Sequence, residues 1–148
     1  MFTETLRTLF SRDLGKLKDE LASYHHEANI WRIDGNILNS AGNLSLHLIG
    51  NLNTYIGAVL GHTGYVRKRP AEFALKDVPR VELIAQIKET AAVVDKVLGS
   101  LTEKTLLDEY PQLVNDAQMT TEFFLVHLAM HLSYHLGQVN YHRRLLDR

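Results

Sequence analysis

Phe123-Phe124-Leu125-Val126-His127-Leu128-Ala129-Met130-His131-Leu132-Ser133-Tyr134-His135-Leu136-Gly137-Gln138-Val139-Asn140-Tyr141-His142 is the stretch on which the fold turns. At ~100° of rotation per residue, His127, His131, His135 and His142 fall within an arc of about 80°, and Gln138 lies inside it. Apolar residues flank the arc, with Phe124, Leu128, Leu132 and Val139 on one side and Phe123, Met130 and Tyr141 on the other. The pattern predicts a helix from about Thr120 to Leu146, with its Met and aromatic positions in the core. Imidazoles aimed inward from a helix are well suited to hold a divalent transition metal, so a metal site within a helical bundle is expected.

Three more amphipathic segments complete such a bundle. Phe2, Leu6, Leu9, Phe10, Leu14, Leu17, Leu21 and Tyr24 recur every three or four residues, predicting a helix from about Thr3 to Glu27. Asn29 to Asn39 contains Asp34-Gly35 and reads as a loop, with Trp31 and Ile33 as its anchors. Ser40 is a suitable N-cap for a second helix running to Leu60, where Gly61 and Gly64 stop it. Its stripe is Leu44, Leu48, Leu52, Tyr55, Ile56 and Val59. A polar crossing from Thr63 to Val78 leads to Pro79, which suits the first turn of a third helix reaching about Leu101. That helix is striped by Leu83, Ile84, Ile87, Ala91, Val94 and Leu98. Thr102 to Met119, with Pro111 and Asn115-Asp116, is a second irregular connection. The expected architecture is all-α: one domain over residues 1–148, a four-helix bundle with a long crossover between its second and third helices.

Composition removes several functional classes. Lys and Arg number 16 against 17 Asp and Glu, a net charge of −1, which leaves no basic footprint for nucleic acid. The short run Arg67-Lys68-Arg69 is expected to be solvated. With no cysteine, the chain has no disulfide, no thiolate ligand and no cysteine nucleophile. No apolar run approaches the ~20 residues of a membrane span, and Met1-Phe2-Thr3-Glu4 is unlike the charged start of a signal peptide, so a cytoplasmic protein is expected.

Two ligands at i and i+4 can share one ion, whereas a third from the same helix two turns away generally cannot. The adjacent pair is therefore His127 with His131 or His131 with His135, completed from another helix. The second helix offers His47, flanked by the inward Leu44 and Leu48, with Asn51, Tyr55 and His62 on the same side. His25 and His26 are expected in solvent or as charges at a helix C-terminus, His62 in a capping role, and His142 too near the end of the helix to join. Leu132-Ser133-Tyr134 between two histidines excludes the His-Glu-x-x-His zinc protease, and the absence of inward carboxylates on the helix faces excludes a di-iron bundle. What remains is an all-nitrogen, three-ligand site suited to Zn, Ni, Fe or Mn.

The segment His127-Leu-Ala-Met-His131-Leu-Ser-Tyr-His135-Leu-Gly137-Gln138, together with Ser40-Ala-Gly-Asn-Leu-Ser-Leu-His47-Leu-Ile-Gly-Asn-Leu, resembles the DinB-like superfamily of bacterial proteins. The resemblance extends over nearly the whole chain, including Trp31 and the long crossing. It implies a bundle of up-down-down-up type, frequent homodimerisation, and a divalent metal on His47, His131 and His135. His127 then becomes a pocket residue one turn away. It further implies a likeness to transferases or isomerases that use a small cellular thiol, whose pKa the metal lowers. The three-ligand site with open positions itself leads to the expectation of a metal-dependent enzyme, S-transferase- or hydrolase-like, that activates a low-molecular-weight thiol or water. On that expectation Tyr134 and His127 are acid–base or orienting groups, Asn51 and Gln138 second partners of the ligands, and Arg67, Lys68 and Arg69 could meet a carboxylate of the thiol. The competing expectation is a metal- or ligand-binding module, or a structural dimer, with no reaction of its own.

Overall fold

Ser40 accepts a hydrogen bond from the Asn43 amide, and Thr120 accepts one from the Phe123 amide. Both helices that carry the histidines of interest thus begin on side-chain N-caps, each worth ~1 kcal/mol. The computed structural model describes residues 1–148, with helices α1 (Phe2–Ala22), α2 (Ala41–Leu52), α3 (Arg69–Ala74), α4 (Arg80–Ser100), α5 (Glu103–Leu107) and α6 (Thr121–Leu146). A 3₁₀ turn, Glu27–Trp31, precedes α2, and a π-helical stretch, Asn53–Ala58, continues it. There are no strands, only isolated bridges such as Asp34 with Ile37. No helix is long and apolar enough to cross a membrane.

The core is one continuous cluster. Leu6, Phe10, Leu14, Leu17 and Leu21 of α1 are fully buried, each contributing roughly 1.5–3 kcal/mol through area removed from water. They meet Leu83, Ile87, Val94 and Leu98 of α4 and Phe124, Leu128, Leu132 and Val139 of α6. α1 packs on α4 and α6, and α2 packs on the same two helices and on α3. Polar contacts bind the helix ends. Arg7 pairs with Asp95, Arg80 donates to the carbonyls of Leu21 and Tyr24, and Glu20 accepts from Asn140 and Arg143.

Every residue of α2 is buried, polar ones included. A helix enclosed on all sides shows a stripe in its sequence but has no solvent face. The π-helical stretch leaves Tyr55 against Phe124, with ring centroids 5.1 Å apart, and the Tyr55 carbonyl accepts from the Tyr110 hydroxyl at 2.6 Å.

Several expectations are corrected. α1 ends at Ala22 rather than Glu27: the Ser23 amide bonds back to Asp19 and Glu20, and the Asp147 carboxylate then captures the amides of His25 and His26. Ile33 is exposed; Ile30 and Trp31 are the buried anchors of that loop. The polar crossing holds a short helix, α3, started by Pro70, and Thr102 caps the short α5 in the other connection. Phe123, Met130, Tyr134 and Tyr141 are not core; their exposures are 62%, 67%, 65% and 61%. The bundle lies on the Phe124, Leu128, Leu132 and Val139 flank of the histidine arc, so the opposite flank faces outward.

Candidate metal centre

His47 is buried on α2, and His131 and His135 face it from successive turns of α6. The His131 Nε2 lies 3.2 Å from His47 Nε2 and 3.1 Å from His135 Nε2. The three rings stand edge to face, with interplanar angles of 74°, 89° and 89°. Nitrogens that share one ion at ~2.0–2.1 Å with angles near ~100° are ~3.1–3.2 Å apart, so these spacings fit a single shared ion.

Hydrogen-bond partners determine where the ring protons sit. His47 Nδ1 donates to Glu72 Oε1 at 3.1 Å, and His135 Nδ1 donates to Gln138 Oε1 at 2.7 Å. In a neutral imidazole a protonated Nδ1 leaves Nε2 with a lone pair, so two of the three converging nitrogens are acceptors by virtue of their outer partners. His131 Nδ1 is buried and has no partner. Burial, then the neighbouring imidazoles, pushes the His131 pKa down to about 4. Burial also lowers that of His47, against the opposing pull of Glu72. Both rings are therefore neutral near pH 7, the form a metal ligand must take. The donor set and its geometry fit a divalent ion, and this three-histidine group could bind one.

Glu72 is the residue that periodicity does not reveal. It sits on α3 and is buried with its carboxylate between His47 and Arg67. Arg67 grips it with two hydrogen bonds, Nε to Oε2 at 2.9 Å and Nη2 to Oε1 at 3.0 Å. The guanidinium lies 5.9 Å from the Tyr55 ring centroid. Asn43 of α2 fixes α3 in place by donating to the carbonyls of Glu72 and Leu75. Gly50, about one turn beyond His47, makes room for this carboxylate, since a Cβ there would overlap Glu72 Oε2 and stand 2.7 Å from its Cδ. Arg67 is thus half-buried and paired, not solvated as expected; Lys68 and Arg69 are exposed. Because Glu72 addresses the Nδ1 side of His47, it braces that ring and adds no carboxylate to the converging nitrogens.

The remaining expected residues distribute as follows. Tyr134 is exposed, its ring edge-on to His135 at 5.3 Å. His127 is exposed and stacks on Phe124 at 5.9 Å, without a hydrogen bond to the cluster. Asn51 is buried beyond His47 with its Oδ1 unpartnered. His25 and His26 are exposed, and His62 follows the helix end with φ of 53°. His142 is buried away from the cluster, accepting from the Tyr24 hydroxyl at 2.7 Å and donating to the Arg32 carbonyl at 2.8 Å. No sequence signal marks Glu72, which stands in a polar connection five residues after Arg67.

A crystal structure of a conserved protein from Enterococcus faecalis has the same fold, with a TM-score of 0.78 and 20% sequence identity over 97% of this chain and 96% of that one. No curated protein matches the chain significantly. The family match runs over residues 3–139 and so takes in nearly all of α1, the whole of α2 and α4, α6 as far as Val139, and all three clustered histidines. The chain belongs to the DinB superfamily.

Proposed function

We propose that His47, His131 and His135 hold one divalent metal ion and that the protein is a metal-dependent enzyme acting through a small thiol or water, in the manner of an S-transferase or hydrolase. The observation that carries this reading is the convergence of three Nε2 atoms at 3.1 and 3.2 Å, two of them deprotonated by outer partners. A bound divalent ion supplies Lewis acidity, lowering the pKa of a thiol or water by several units. The chain's own residues do the rest. Glu72 and Gln138 keep the His47 and His135 rings in the ligating tautomer and orientation. Arg67 offsets the Glu72 charge, so that the buried carboxylate is not left unpaired. Tyr134, with its ring against His135 and most of its surface in solvent, is the first candidate to exchange a proton at its hydroxyl with a group beside the cluster. His127, one turn before His131, is the second candidate for that role. With no cysteine in the chain, any sulfur nucleophile comes from the cosubstrate.

Further parts of the reading have separate support. The pairings of Arg7 with Asp95 and of Glu20 with Arg143 support opposite courses for α1 and α4 and like courses for α1 and α6, in accord with an up-down-down-up bundle. The exposed Phe123, Val126 and Met130 on α6, beside a groove bordered by Phe2 and Leu9 of α1, support a homodimer. A cytoplasmic location, where small thiols are kept reduced, accords with a thiol cosubstrate. The non-catalytic alternative has its own supporting observation: Tyr134 and His127 lack hydrogen bonds to the cluster. Assays with candidate thiols on metal-loaded and metal-stripped protein decide between them. Turnover that requires the metal and falls in Tyr134→Phe supports the enzyme, and equal turnover with and without metal rejects it.

A further inference from the structure

A cleft of about 610 Å³ opens between the loop around Ile37 and the C-terminal half of α6. Ile37, Leu38, Leu44 and Leu145 give it aliphatic walls, and Tyr134 and Tyr141 add aromatic ones. No Lys, Arg, Asp or Glu lines it, the Arg144 guanidinium being stacked on the Tyr141 ring at 5.0 Å, whereas the adjoining clefts along α6 are edged by Arg32, Asp34 and Arg148 or by Lys16, Asp19 and Glu20. Its polar groups are the amides of Asn36, Asn39 and Gln138, the hydroxyls of Tyr134 and Tyr141, and the ring of His142. Tyr24 and the Arg32 carbonyl already occupy both nitrogens of that ring, so His142 offers the cleft no free acid or base. Gln138 joins the cleft to the histidine cluster: its Oε1 accepts from His135, which leaves the amide nitrogen to donate elsewhere.

Gly137 supplies an independent observation. Glycine is the poorest helix former after proline, yet Gly137 lies deep within α6, on the ridge between this cleft and the one edged by Lys16, Asp19 and Glu20. A Cβ there would meet nothing within 4 Å, so packing inside the chain does not call for glycine. The missing side chain instead leaves the helix backbone open to a group lying close against it.

We propose that this cleft binds an uncharged, flat apolar group bearing a carboxamide-like polar end, and so selects a neutral aryl substrate arm beside the metal centre. Its volume and its few convergent polar groups suit a small molecule. A carboxylate seated there would lose its water without gaining a cationic partner from the walls. The assignment of the bound group as a substrate arm rests on the metal-centre reading; the binding itself does not.

The test uses benzamide and benzoate as probes, followed in two-dimensional amide NMR spectra of the full chain. Benzoate could ligate a metal, so the comparison is made in His131→Ala protein as well as in zinc-loaded parent. Expected are saturable benzamide shifts confined to Leu38, Leu44, Gly137 and Tyr141 in both proteins. In His131→Ala, benzoate should bind about tenfold more weakly or worse, from its unrequited desolvation. Gly137→Leu, which fills the cleft with a better helix former, should keep or raise the melting temperature and weaken benzamide by about tenfold. Leu38→Asn, at an exposed wall, should weaken it without touching the fold. Equal or tighter benzoate binding in His131→Ala, shifts scattered over the surface, or unchanged benzamide binding in Gly137→Leu would overturn the proposal. Confined benzamide binding in a parent that takes up no zinc supports the cleft and rejects the metal centre, so the two readings fail separately.

Discussion

Replacing Gly50 by alanine should destabilise this protein, although helix propensity alone says the reverse. Gly50 lies within α2, where Gly→Ala normally gains ~1 kcal/mol. The new Cβ, however, would overlap Glu72 Oε2, stand 2.7 Å from Glu72 Cδ and come within 3.4 Å of Arg67 Nε. The carboxylate is itself buried and cannot simply swing into water. Displacing it breaks the bond from His47 Nδ1 and the two from Arg67. Charge-assisted hydrogen bonds are worth roughly 1.5–3 kcal/mol each, and partial retention of the Arg67 pair brings the loss to about 3–4 kcal/mol. Set against the propensity gain, a net loss of ~2–3 kcal/mol follows, or a fall of ~5–10 °C in Tm for a domain of this size. The same displacement frees the His47 ring, so zinc affinity should fall by roughly 10–100-fold. Thermal melts of metal-free protein and competition against a chelator for the loaded protein read the two effects. A Gly50→Ala protein that melts at or above the parent temperature and holds zinc equally well would refute the account of Glu72 as the brace on His47.

Other predictions follow from the rest of the molecule. Tyr24→Phe removes the hydroxyl that donates to His142 Nδ1 in a buried setting and should cost about 1–2 kcal/mol in urea denaturation; an unchanged midpoint would show that the ring finds another donor. Acid should destabilise the metal-free protein, because burial lowers the pKa of His142 and of His131 in the folded state. Their depressed values keep the folded rings neutral while the unfolded chain takes up protons below ~6.5, so stability is complete above that pH and declines from there towards about 4, where His131 itself titrates in the folded state. A denaturation midpoint that rises on going from neutral pH to pH ~5 would contradict this sign. If the outer flank of α6 is a dimer surface, Met130→Glu should yield a monomer in analytical ultracentrifugation with the helical content intact; a parent that is already monomeric removes that surface from consideration.

The four long helices were legible in the sequence because each has a core-facing stripe. Ser40 marked the start of one of them with a side chain that does cap in the structure, and Thr120, near the expected start of another, caps as well. What stayed hidden follows from the same physics. The histidine arc on α6 has apolar residues on both flanks, and periodicity cannot tell which flank turns inward; Phe124 and Leu128 did, Phe123 and Met130 did not. Tyr24 prolonged the α1 pattern past the true helix end because it remains buried while the backbone is drawn away by Asp147. His47 was visible as an imidazole among leucines, and its meeting with His131 and His135 was expected from resemblance. Glu72 was not visible, for a glutamate in a polar connection carries no periodic signal, and only the fold of α3 over Gly50 brings it to His47.

The central claim is most directly tested by the metal content of tag-free protein, measured by elemental mass spectrometry beside His131→Ala purified in the same way. The account predicts about one divalent ion per chain in the parent, from a single three-nitrogen site, and little or none in the variant. No ion in either protein, with none taken up on incubation with zinc, nickel, iron or manganese salts, would contradict it.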